Sequence, residues 1–166
     1  MRLLGLGGIL ACTFALGAVT ALAAPAHATI VGKAQDLTFG PPTAACSGQD
    51  AIFEVHFALV SPQRDPLGMG VSCVRGWDGA PCPDIPPQGC NQTTLTTFVL
   101  TFSGGSITAP MILDETFVGG GVLVQHGSGQ IASGTGSYAG ATGTIQTNGN
   151  ARLPDGIHLT LVIRLN

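Results

Sequence analysis

Few side chains in this sequence could do chemistry. Glu54 and Glu115 are its only glutamates, and Glu54 stands two residues from His56 in a segment that alternates apolar and polar residues. On a β-strand such residues share a face, which makes Glu54 and His56 a candidate carboxylate–imidazole pair. Were that face to line a barrel lumen, desolvation would raise the carboxyl pKa and suit it to proton transfer. The simpler arrangement, and the favoured one, puts Phe53, Val55, Phe57 and Leu59 in the core and leaves Glu54 and His56 in water. Tyr138 is a candidate proton donor, but it is better explained as the plug of a glycine-rich corner, its hydroxyl at the rim. Trp77, beside Asp78, is a candidate ligand lid or a plain loop anchor. Asp114 and Glu115 are expected in a solvated turn.

Other catalytic sets are missing. His56, His126 and His158 fall on separate elements with no ligand spacing, and there is no C-x-x-C pair, so no metal site is expected. There is no G-x-S-x-G elbow and no phosphate-binding loop. Gly134-Thr135-Gly136 is not a dinucleotide fingerprint, and no βαβ unit surrounds it. No cofactor is expected. Net charge is −3 with no basic cluster, which argues against nucleic acid and against anionic membrane surfaces.

The elements that must hold these residues follow from composition. Arg2, the apolar run over residues 3–24 and Ala26-His27-Ala28 have the layout of a secretory signal peptide cleaved after Ala28. Cys12 lies inside the apolar run behind a poor lipobox, so an anchored lipoprotein is disfavoured. Residues 29–166 then form one domain, secreted to the extracellular space or the periplasm, with no membrane contact after cleavage. Its four cysteines, Cys46, Cys73, Cys82 and Cys90, are expected to make two disulfides in an oxidising compartment. Three pairings are open. A hairpin about residues 61–67 would set Cys46 and Cys82 at mirror positions, which favours Cys46–Cys82 with Cys73–Cys90.

No segment sustains a helical period, while strand signals recur. Strands are expected over 29–39, 51–60, 68–74, 93–102, 107–113, 118–133 in one or two pieces, 142–153 and 157–165. Residues 75–91, with four prolines and three glycines, are expected to be an irregular stapled loop. Pro110 marks an edge or a bulge. Seven or eight strands with short turns indicate an all-β fold, an eight-stranded antiparallel barrel with a β-sandwich as the alternative.

Around Tyr138 the chain runs Gly134-Thr135-Gly136-Ser137-Tyr138-Ala139-Gly140-Ala141-Thr142-Gly143. This corner resembles the GTG-x-Y-x-GA-x-G signature of the allene oxide cyclase and dirigent-like barrels. Residues 98–109 and 157–165 resemble that family's hairpin and closing strand. The resemblance covers roughly the last seventy residues and matches Gly134, Gly136, Tyr138, Gly140 and Gly143 as a structural corner; no functional residue is carried over. It implies an eight-stranded barrel with a cavity and a small apolar or phenolic ligand, held in one conformer without bond making or with weak catalysis. An isomerase or cyclase of the allene oxide cyclase type is the enzymatic alternative. A structural surface protein with a filled barrel is the third. Trimers are common in that family, and the two-sided apolar run 98–102 is the one hint of a homo-trimer here.

Overall fold

The computed structural model describes residues 27–83, 86–152 and 156–166. The expected leader over residues 1–28, with Cys12, lies almost wholly outside the described residues. The described chain is a closed antiparallel β-barrel of eight strands, β1 (Thr29–Gly40), β2 (Phe53–Val60), β3 (Pro66–Asp78), β4 (Asn91–Phe102), β5 (Gly105–Gly119), β6 (Val122–Gln130), β8 (Gly143–Arg152) and β9 (Gly156–Leu165), with a two-residue β7 (Ser133–Gly134) appended to β5. Neighbours around the barrel run β4-β3-β2-β1-β9-β8-β6-β5, and β5 pairs back onto β4 over twelve residue pairs. That closing ladder removes the free sheet edges that a sandwich would keep.

Alternation sends every second side chain inward. Leu59, Leu100, Ile107, Met111, Ile145, Leu161 and Ile163 are fully buried and fill one end of the barrel. In the run 98–102, Phe98 and Leu100 belong to this core and Phe102 packs against it, so the two-sided apolar run keeps only half-buried Val99 outside. The glycine corner caps the same end. Tyr138 stacks on Phe102 with ring centroids 5.4 Å apart, and Ser137 N–H donates to the Gly104 carbonyl at 2.7 Å. Gly136, at φ +58°, approaches so closely that a Cβ would stand 2.2 Å from the Gly104 carbonyl oxygen. Tyr138 is thus the plug of the corner.

Two strands are re-phased at the other end. β1 gains a residue on β2 between Gln35 and Thr38, and Asp36 takes a left-handed φ of 54° there. β3 gains one on β4 between Val74 and Gly76. An extra residue in one strand reverses which side chains face inward beyond it. The inward set therefore changes from Ala34 to Leu37 and Phe39 on β1, and from Val74 to Trp77 on β3.

Three expectations change. β3 runs on to Asp78, so Arg75-Gly76-Trp77-Asp78 is strand and not irregular loop. β5 runs through Asp114-Glu115-Thr116, and the reversal falls at the glycines 119–121. The disulfides join Cys46 to Cys73 and Cys82 to Cys90, in place of Cys46–Cys82 and Cys73–Cys90. The longer β3 explains the pairing. It carries Cys82 past the end of the strand, beside the start of β4, and leaves Cys73 level with Glu54, where the loop after β1 folds back. Pro110 behaves as a seam residue. It sits where β5 changes partner, between Met111 opposite Gly129 on β6 and Thr108 opposite Ser133 on β7.

Candidate functional site

All strands reaching the uncapped end contribute to one cavity of about 210 Å³. An empty apolar cavity of ~150 Å³ already takes a benzene-sized guest, so this space fits a single-ring molecule. Its walls are mostly aromatic and aliphatic: Phe53, Val55 and Phe57 from β2, Trp77 from β3, and Phe117 and Leu123 across the mouth. Phe53 and Trp77 lie with ring centroids 6.4 Å apart, and Phe39 at the rim is 58 % exposed. Trp77 is therefore a wall of the mouth, aimed inward by the β3 bulge.

The polar part of the cavity is a single cluster around Glu115. Its Oε2 accepts from Gln92 Nε2 at 2.6 Å and from the Thr94 hydroxyl at 2.8 Å, and its Oε1 accepts from Gln125 Nε2 at 2.7 Å. Glu115 and Gln125 are each only 8 % exposed. Gln92 in turn accepts the Cys82 backbone N–H at 2.9 Å, which ties the Cys82–Cys90 loop to the cluster. The amide of Gln125 is spent on Glu115 through its nitrogen, and its Oε1 has no hydrogen-bond partner. Deeper in, the Ser72 and Thr96 hydroxyls hydrogen-bond each other at 2.7 Å. Among the described residues no Lys, Arg or His lines the cavity.

Glu54 and His56 both lie outside the lumen, and of the two only His56, with a side chain 36 % exposed, reaches water. Phe53, Val55 and Phe57 face the cavity, so Glu54 and His56 point to the outside of the barrel, as the simpler arrangement required. Glu54 is nevertheless only 1 % exposed, because the loop after β1 lies over it, pinned by Cys46–Cys73. There Glu54 Oε2 accepts from the Thr43 N–H at 2.9 Å and from the Thr43 hydroxyl at 3.2 Å, and Oε1 lies 2.5 Å from His56 Nε2. Burial would raise its pKa, but the Thr43 N–H, His56 and the Thr43 hydroxyl together outweigh it and hold the carboxyl below its ordinary value. Glu54 is thus a clasp for the loop, remote from the lumen.

That direction fixes a pH dependence. A carboxylate with a depressed folded-state pKa adds stability above its ordinary value of 4.5 and loses that contribution as pH falls through the lowered value. At neutral pH Glu54→Gln should therefore unfold at lower urea than the wild type. The gap should close as the pH drops below 4.5. Parallel acid limbs for the two proteins would refute the clasp.

Glu115 is the site residue that sequence patterning left in a solvated turn. The signal was there: Ile107, Ala109, Met111, Leu113 and Phe117 set an unbroken inward alternation, and Glu115 falls on the same parity. The sequence positions of Gly134, Gly136, Tyr138, Gly140 and Gly143 place them together at the capped end, and none of them lines the cavity. The described residues hold no group of three or more potential metal-ligating side chains, and no helix among them is long and apolar enough to cross a membrane. The two disulfides fit an oxidising environment.

No family model, curated protein or solved structure matches the chain.

Proposed function

We propose that this is a secreted barrel that holds a small apolar or phenolic molecule in its lumen, dirigent-like in working by shape. The observation that carries the proposal is the one-ended cavity: aromatic walls at an open mouth, a filled and capped opposite end, and a few convergent polar groups. Apolar enclosure with sparse polar anchors is what small-molecule sites generally offer. A filled structural barrel would need this space closed by side chains. A cyclase or isomerase would use the same cavity, with Glu115 as the carboxylate within reach of the guest. Secretion rests on the signal-like segment and agrees with the paired cysteines.

Trp77 supplies the test, being the only tryptophan and part of the cavity wall. Titration with 4-ethylphenol should change its emission saturably, with one site per chain. Ala151 also lines the cavity, and Ala151→Phe should fill the space and abolish the change. A wild-type signal that never saturates, or one indifferent to Ala151→Phe, would rule out lumenal binding.

A further inference from the structure

We infer that the guest best matched to this lumen is a small arylalkylamine, its ammonium group seated against Glu115; the inference rests on the lumenal-binding proposal and names the head group of the guest. Three observations lead there. First, Glu115 is a buried carboxylate whose only partners are neutral donors, the amides of Gln92 and Gln125 and the Thr94 hydroxyl. Buried charges are ordinarily paired, and among the described residues no cationic side chain lines the cavity to pair with it. Second, the acceptors are not used up. Glu115 Oε1 takes one donor where a carboxylate oxygen has room for two, and Gln125 Oε1 takes none. Gln125 Oε1 has almost no accessible surface, so the acceptor offered to a guest is Glu115, which lines the cavity. Third, the walls beyond them are aromatic, Phe53, Trp77 and Phe117 among them. Such walls suit the apolar body of the guest, and their ring faces also attract cations.

An ammonium meets all three conditions. It brings three donors and the missing positive charge, and charge-assisted hydrogen bonds are roughly twice as strong as neutral ones. A phenol or alcohol brings one donor and no charge. A carboxylate brings a second negative charge into a site of low dielectric, where like charges strongly repel. The lumen should therefore reject fatty acids and aromatic acids of otherwise suitable size.

The experiment is a matched series on the wild-type mature protein at pH 7, read by Trp77 emission and by calorimetry. The members are 2-phenylethylamine, 2-phenylethanol, ethylbenzene and 3-phenylpropionate, which share one ring and differ in the head. The amine should bind at least about tenfold more tightly than the alcohol or the hydrocarbon, and the acid should not bind. In Glu115→Gln the amine should fall to the affinity of the alcohol, a loss of at least about tenfold and far larger than any loss for ethylbenzene. Ethylbenzene binding by the variant also shows that it keeps a cavity. Equal affinities for amine, alcohol and hydrocarbon, or measurable binding of the acid, would overturn the inference and leave lumenal binding standing. If no member of the series binds, lumenal binding itself falls, and the inference with it.

Discussion

Replacing Gly143 by alanine is expected to cost roughly 3–5 kcal/mol of stability, the largest effect of any single methyl proposed for this chain. Gly143 opens β8 just after the corner, opposite Leu165 of the closing strand β9. Its φ of +139° is one that L side chains rarely adopt, and a Cβ would stand 1.9 Å from the Arg164 carbonyl oxygen. That oxygen is backbone in a paired strand, so the clash cannot be relieved by turning a side chain. The Gly143 carbonyl also accepts the Ile131 N–H at 3.0 Å, so a shift here disturbs the corner from both sides. Gly140 is the control. It has φ +74° and nothing within 4 Å of where a Cβ would stand, so Gly140→Ala should cost only about 1–2 kcal/mol. Urea midpoints followed by far-ultraviolet circular dichroism separate the two. Equal losses at both positions would mean that the conformation alone matters and the close approach does not.

Loss of the Cys46–Cys73 bridge is the second large expected effect. The two cysteines are 27 residues apart, and a loop of that size removes about 3.5 kcal/mol of unfolded-chain entropy when closed. Cys82–Cys90 spans 8 residues and should be worth about 2.5 kcal/mol by the same relation. Cys46→Ala with Cys73→Ala should therefore lower the melting temperature more than Cys82→Ala with Cys90→Ala. The first pair also frees the loop bearing Thr43, so its loss should erase the acid dependence traced to Glu54. The second pair should leave that dependence alone. The reverse ranking in thermal scans would show that chain entropy is not what these bridges chiefly supply. Peptide mapping without reduction would check the pairing directly.

The parts of the molecule that were legible in the sequence are those governed by neighbours in the chain. The inward set Phe53, Val55, Phe57 and Leu59 follows from alternation, and the corner follows from glycines spaced around Tyr138. Composition and the lack of a sustained helical period pointed to an all-β fold. What was illegible depended on register between distant strands. The weak patterning of residues 29–39 is a good strand whose parity changes at Asp36, and a bulge of that kind has no signature unless the partner strand is known. Trp77 seemed to lie in a loop for the same reason, because the extra residue before it breaks the alternation of β3. Glu115 looked like part of a polar turn because its partners Gln92, Thr94 and Gln125 come from two other strands and only the barrel brings them together. The disulfides were mispaired because mirror positions about the hairpin treat Cys46 as a continuation of β2, whereas the chain before β2 leaves the strand and folds back to set Cys46 beside Cys73.

The pairing of β1 with β9 has a consequence for how the protein can be displayed. Thr29 stands opposite Arg164, and the Leu165 N–H donates to the Ala28 carbonyl at 2.8 Å, so residues 28 and 165 are side by side at the capped end. A tether, tag or surface anchor attached before residue 28 or after residue 166 would hold the barrel by its closed base. The rim bearing Phe39 and Trp77 would face away from the attachment point. Immobilised through either terminus, the protein should present an unobstructed opening, and both orientations should behave alike in a surface-based measurement of guest exchange.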